Sequence, residues 1–182
     1  MVNTGIIILA AGSSSRFGTL KQLAHFGGKT LLQHAVSEAL GTGAKPVVVV
    51  TGANAEEVSH SINDNNIEIA ENADWKKGMA SGIVTGIQKV ITLNAHIERL
   101  IIAVCDQPFV NSALFNQLYQ THMESKKNIV ASAYADTLGT PVLFTQKYFD
   151  QLLNLKGDEG AKKILKLYNE VYEENHHMYL MI

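Results

Sequence analysis

Four short runs set the limits on what this chain folds into. GIIILAA (residues 5–11), PVVVVT (46–51), RLIIAVC (99–105) and NIVASA (128–133) are dominated by apolar, mostly β-branched residues. None alternates polar with apolar side chains, so none suits a strand with one face in water. Each reads as a strand buried on both faces, the pattern of a parallel sheet. Segments of helical period separate them. In TLLQHAVSEAL (30–40), Leu31, Leu32, Ala35, Val36 and Ala39 share one face, and Gly41 and Gly43 give stop signals. Further helices are expected at 55–62, 79–91 and 112–122, with a short strand at 67–70. After these the rhythm changes: 140–144 reads as a strand, 146–153 as a short helix and 159–168 (EGAKKILKLY) as an amphipathic helix.

This βαβα order implies an α/β fold, a three-layer αβα sandwich around a mostly parallel sheet with right-handed crossovers. The 182 residues suit one domain spanning 1–182, large enough to bury a substantial core. Hydrophobic residues make up 46% and charged residues 18%, which is ordinary for a soluble globular protein. The net charge of −2, with no long basic run, argues against nucleic acid as a partner, because backbone affinity is largely electrostatic. The single cysteine, Cys105, excludes an internal disulfide and fits a reducing compartment. The apolar run at 5–11 is too short to span a membrane, and it lacks the basic start of a secretory signal. A cytoplasmic location is the expectation.

In such sheets, ligands bind beyond the carboxyl ends of the strands. The segments there are 12–21, 51–54, 71–78 and 106–108. The first, within ILAAGSSSRFGTLKQL (8–23), breaks an apolar run with Gly12, Ser13, Ser14 and Ser15, and then brings in Arg16, Gly18 and Lys21. It fails the dinucleotide pattern G-x-G-x-x-G, since Ser14 stands at the second glycine. The P-loop pattern fails as well, because Leu23 precedes GGKT (27–30) where glycine is required; GGKT reads as a tight turn with Thr30 capping a helix. The opening loop still favours phosphate. Small residues let backbone N–H groups converge on oxygen, Arg16 supplies a forked cation and Lys21 a point charge.

In VCDQP, Asp106 follows a buried run and Pro108 fixes the turn after it. A lone carboxylate there suits Mg²⁺, which takes one or two carboxylates plus substrate phosphate; the alternative is a cap on the next helix. Cys105 reads as a buried strand residue. ENADWKKGMASGI (71–83) combines Asn72, Trp75, Gly78 and Ser81. For Asn72 and Ser81, contact with a base or ribose stands beside tight helix packing, and for Gly82 and Gly86 packing is preferred. The seven histidines show no metal-ligand spacing.

Taken together, these motifs resemble the molybdenum cofactor cytidylyltransferases, a group within the MobA-like NTP transferase family. The family's opening pattern, L-A-[AG]-G-x-S-x-R-[MF]-G-x-x-K, is matched by Leu9, Ala10, Ala11, Gly12, Ser14, Arg16, Phe17, Gly18 and Lys21. Asn72, Trp75, Gly78 and Met79 resemble its middle motif, with serine at 81 rather than 82. Asp106 and Pro108 match its D-x-P turn, while GTPVLF (139–144) and LKGDEGAKKIL (155–165) resemble two later motifs. Two departures stand out: Thr140 replaces a frequent histidine, and EENHHMYLMI (173–182) stands where many members carry an acidic D-I-D-T-P-E-D segment.

The resemblance implies a fold of the nucleotide-diphospho-sugar transferase, Rossmann-like type. It also implies a Mg²⁺-dependent enzyme that transfers CMP from CTP to molybdopterin or molybdenum cofactor and releases pyrophosphate. Arg16, Lys21 and Asp106 become the catalytic set, with Asp106 on the metal. Leu9, Ala10, Ala11, Gly12, Ser13, Ser14, Ser15, Arg16, Lys21, Asn72 and Ser81 become the nucleotide site. A sugar phosphate or other phosphorylated alcohol is the alternative acceptor. The alternative of another class is a non-catalytic delivery protein that binds molybdopterin and docks on a molybdenum hydroxylase; such a hydroxylase is also a candidate client of the enzyme.

Overall fold

The computed structural model describes residues 1–12, 20–62, 64–134, 137–160 and 165, with the backbone of 171–175. Strand β1 (Thr4–Leu9) opens the chain, and helix α1 (Leu31–Leu40) leads to β4 (Val47–Thr51). Between them a 3₁₀ turn (Lys21–Leu23) precedes a small hairpin of β2 (His25–Phe26) and β3 (Lys29–Thr30). Helix α2 (Ala55–His60), β5 (Ile67–Glu71), α3 (Met79–Leu93), β6 (Arg99–Val104), α4 (Ser112–Ser125) and β7 (Ile129–Tyr134) come next. Then come β8 (Thr137–Thr145), α5 (Phe149–Leu153) and β9 (Val171–Asn175).

The main sheet runs β5-β4-β1-β6-β8-β7-β9. β1 pairs in parallel with β4 and β6, β4 with β5, and β7 with β9; β8 alone runs antiparallel to both neighbours. The α/β sandwich is therefore as expected, and the strand period explains its layers. Ile6 and Ile8 point to one side, where they pack with Leu32 and Val36 of α1, Val58 of α2 and Leu114 and Leu118 of α4. Ile7 points to the other, against Ile83, Ile87 and Val90 of α3 and Leu152 of α5. All three isoleucines are fully buried, which is why the strand shows no polar alternation.

The predicted elements sit within a few residues of their places. GGKT forms the hairpin turn, with Gly27 at φ +59° and Gly28 at φ +84°, a type I′ geometry that favours glycine at both positions. Thr30 then caps α1 in a capping box: its hydroxyl accepts from the Gln33 N–H at 3.1 Å, and its own N–H donates to the Gln33 side chain at 3.0 Å. The reading of 159–168 as one helix lies largely outside the described residues; Glu159 and Gly160 are irregular, and Leu165 is helical. The strand β9 was not expected.

Helix α3 carries two buried glycines with different roles. A Cβ on Gly86 would stand 2.6 Å from Ile7 Cγ2 and 2.9 Å from Val50 Cγ2, so this glycine sets how closely helix and sheet approach. On Gly82 the nearest atom would be Leu9 Cδ2 at 3.7 Å, an ordinary contact. Overpacking costs about 1–3 kcal/mol, whereas alanine gains about 1 kcal/mol over glycine inside a helix. Gly86→Ala is therefore expected to lower the urea midpoint and Gly82→Ala to hold or raise it. Denaturation of the two variants side by side checks this, and equal destabilisation would remove the distinction.

Candidate active site

At the carboxyl edge of the parallel strands lies a cleft of about 660 Å³. Leu9, Ala10, Ala11 and Gly12 bring in the end of β1, and the 3₁₀ turn adds Lys21 and Gln22. Asn72 stands just beyond β5, Trp75 and Lys76 on the following turn, and Gly78, Met79 and Gly82 at the start of α3. The far wall is Val104, Cys105 and Asp106 after β6, together with Asp158. Leu9, Ala10, Ala11, Gly12, Lys21, Asn72 and Asp106 are site residues by sequence, and all seven line this one cavity. Ser13, Ser14, Ser15 and Arg16 lie outside the described residues.

Ser81 does not line the cleft; it stands behind Asn72. The Asn72 amide, buried to 2% exposure, donates to Ser81 Oγ at 2.8 Å, and its oxygen accepts from the Asp74 N–H at 3.1 Å. Ser81 Oγ is in turn within donating distance of the Gly78 carbonyl (2.8 Å) and the Asp74 carbonyl (3.0 Å). The pair thus shapes the 72–81 turn that presents Trp75 and Lys76. Gly78 has φ +98°, and a Cβ there would strike the Gly157 backbone and Asp158 Oδ1 at 2.5 Å. Only glycine admits that crossing, which brings Asp158 into the cleft.

Asp106 does not cap the next helix. Asn111 does so, its side chain accepting from the Leu114 N–H at 2.9 Å. No described residue donates a hydrogen bond to the Asp106 carboxylate, which stands half-buried in the cleft that Lys21 and Lys76 also line. An uncompensated carboxylate in a cleft with amine side chains fits a divalent cation carried in with phosphate oxygens. Among the described residues there is no cluster of three or more metal-ligating side chains, so this is not a closed metal cage. Beside it, Gln107 Oε1 accepts from Thr140 Oγ1 at 3.2 Å, and Gln107 Nε2 donates to the Tyr134 hydroxyl at 3.4 Å. The Tyr134 hydroxyl closes the ring by donating to the Thr140 carbonyl.

Gln22, Lys76 and Asp158 are site residues that the sequence does not single out. Asp158 has a signal, the G-D-x-G-A resemblance at 157–161. For Gln22 and Lys76 the adjacent motif residues give only proximity.

A cleft of this shape, with a cationic rim and the Asp106 and Asp158 carboxylates in its wall, is suited to a nucleoside triphosphate with a divalent cation, and the comparisons with known proteins agree. The MobA-like NTP transferase domain matches residues 6–175. The chain belongs to that family. It is a nucleotidyltransferase-family enzyme of the MobA-like type. It is 32% identical over 170 residues to nicotine blue oxidoreductase of Paenarthrobacter nicotinovorans, spanning 88% of this chain and 80% of that protein. Among solved structures it is similar to Rv0371c of Mycobacterium tuberculosis H37Rv, with a TM-score of 0.81 at 24% identity over 95% of this chain and 87% of that one. The molybdopterin-guanine dinucleotide biosynthesis protein A of Archaeoglobus fulgidus superposes with a TM-score of 0.65 at 19% identity, over 94% and 83% of the two chains. The structural likenesses speak for the fold. Among the described residues, no helix is long and apolar enough to cross a membrane.

Burial, reinforced by the neighbouring Asp106 charge, pushes the Cys105 thiol of the cleft wall up to about 12. The protonated, buried thiol is a packing residue. In the native protein at neutral pH, Cys105 is therefore expected to resist iodoacetamide, and after denaturation to alkylate fully, as read by mass spectrometry. Native alkylation at the denatured rate would show that the wall is open.

Proposed function

We propose that this protein transfers a cytidylyl group from CTP to the terminal phosphate of molybdopterin or molybdenum cofactor, with release of pyrophosphate. The observation that carries the choice of CTP is the setting of Ala11. Its methyl lies at the end of β1 against Gly52 and Trp75: a Cβ placed on Gly52 would fall 2.8 Å from both the Ala11 Cβ and the Trp75 Cβ. There is no slack at that corner. The LAAG sequence at 9–12 resembles the opening of the cytidylyl-transferring group rather than the LAGG of the guanylyl-transferring one, and in this reading the added methyl narrows the space beside the base against a purine.

In this reading the acceptor phosphate, already ionised at neutral pH, attacks the α-phosphorus of CTP. A new P–O bond forms, the bond to the β-phosphate oxygen breaks, and that oxygen leaves with the electron pair as pyrophosphate. The chemistry needs alignment and charge neutralisation more than a protein nucleophile. Lys21 and Arg16 hold the triphosphate, and the Gly12 to Ser15 amides receive the β- and γ-oxygens. Asp106 would hold Mg²⁺, which supplies neutralisation of the phosphate charge when bound. In the solved relatives, manganese is the metal of one Rv0371c complex, which supports a divalent site of this kind.

Pyrophosphate release with CTP or GTP, Mg²⁺ and purified molybdenum cofactor tests the reading. The expected result is turnover with CTP well above GTP and dependent on the cofactor. Equal use of GTP would remove the cytidylyl assignment, and turnover with a sugar phosphate instead would move the acceptor. Nicotine blue oxidoreductase gives a second reading. Oxidation or reduction of nicotine blue without pyrophosphate release would replace the proposal with an oxidoreductase.

Two variants refine it. Asp106→Asn keeps shape and removes charge, so turnover is expected to fall by about two orders of magnitude or more with the fold intact, given the few kcal/mol a metal-bound charge supplies. Near-normal turnover at limiting Mg²⁺ would show that Asp106 does not hold the metal. Ala11→Gly is expected to narrow the preference for CTP over GTP without reversing it, since one methyl discriminates by about 1–3 kcal/mol. Competition between the two nucleotides on wild type and variant measures the change.

A further inference from the structure

Gln22 is a polar side chain with 2% of its surface exposed, at the base of the cleft. Its Nε2 donates two short hydrogen bonds, to the Ala10 carbonyl at 2.8 Å and to the Gly12 carbonyl at 2.7 Å. Both amide hydrogens are thereby used on the backbone at the exit of β1. The same residue sits in the 3₁₀ turn that carries Lys21. One side chain therefore joins the two ends of the segment running from Gly12 to Lys21, the segment with the phosphate-binding composition.

We propose that Gln22 is a positioning residue for the triphosphate: it caps two carbonyl dipoles at the cleft edge and fixes Lys21 relative to the end of β1. Both effects act on an anion. A carbonyl oxygen left uncapped at that edge presents negative potential to phosphate and is itself costly to bury. A turn that already holds Lys21 beside the end of β1 lowers the ordering cost of binding an anion there. This explains the choice of glutamine: its amide donates twice, whereas glutamate, of the same shape, is acceptor-only when ionised and would face two carbonyls. The proposal rests on the nucleotidyltransferase reading of the cleft, but not on the identity of base or acceptor.

Inorganic tripolyphosphate with Mg²⁺ is the probe, bound by titration calorimetry to wild type, Gln22→Met and Gln22→Glu, alongside CTP turnover with the cofactor. Gln22→Met keeps length and removes the donors. Its tripolyphosphate affinity is expected to fall by roughly ten- to a hundredfold, as the loss of two hydrogen bonds implies, with the acceptor KM unchanged. Gln22→Glu is expected to bind worse still at neutral pH. It should regain affinity as pH falls into the carboxylic range, where a protonated glutamate again donates to one carbonyl. That recovery, absent from wild type, is a signature a merely structural role does not produce. Wild-type affinity in both variants overturns the proposal, as does a wild type that binds no tripolyphosphate. If the variants respond as expected while CTP turnover fails, the clamp stands and the cytidylyl reading falls. Circular dichroism at each pH establishes that the variants are folded, and a folded Gln22→Glu whose affinity does not recover as pH falls overturns the proposal.

Discussion

Burial of the central sheet on both faces is the constraint on which the rest of this molecule depends. Ile6, Ile7 and Ile8 are all out of water, as are Val48, Val49 and Val50 beside them. A polar group buried without a partner in such a sheet is costly, and the two such atoms among the described strand residues, Thr51 Oγ1 and Arg99 Nε, lie at strand ends. Chemistry is thereby displaced to the edge, where the parallel strands end together. Leu9, Thr51, Glu71 and Val104 are the last residues of β1, β4, β5 and β6. The residues just past three of these ends line the cleft: Ala10 to Gly12, Asn72, and Cys105 with Asp106.

At that edge, two buried amides organise the backbone. Asn72 holds the turn on one side and Gln22 the end of β1 on the other, each at 2% exposure. Neither amide nitrogen is free to act as a simple substrate hook, since both already donate to protein groups. Their contribution is preorganisation. They keep Trp75, Lys76, Lys21 and the strand end in place before a ligand arrives, which lowers the ordering cost of binding.

Much of this is legible in the sequence, for identifiable reasons. GIIILAA and PVVVVT announce buried strands because β-branched runs without polar alternation have few other uses, and Thr30 with Gln33 announces a helix start. β9 is not legible: VYEEN (171–175) is mostly charged or polar and has no apolar run, and only its pairing with β7 makes it a strand. The antiparallel course of β8 is hidden because direction depends on how the chain returns, not on the apolarity of 137–145. Within the cleft, residues next to motif glycines stand out. Gln22 does not, because its signal is two backbone carbonyls ten and twelve residues away, which no periodicity reveals. Ser81 reads as a ligand contact because composition cannot tell a residue that lines a cavity from one that supports its lining.

The two flanks of Asp106 are tied by different kinds of group. On the β1 flank, Gln22 is buried and donates to two backbone carbonyls at 2.7 and 2.8 Å. On the β8 flank, Gln107, Thr140 and Tyr134 are half-buried and bond to one another: Thr140 Oγ1 donates to Gln107, Gln107 donates to the Tyr134 hydroxyl, and that hydroxyl donates to the Thr140 carbonyl. Thr140 enters this ring through both its hydroxyl and its carbonyl, so at this position the chain has a neutral structural tie where a histidine would bring a titratable group. Both ties satisfy protein donors and acceptors with one another. The carboxylate between them is engaged by no described donor, which leaves its oxygens open to the cleft at the carboxyl edge of the sheet.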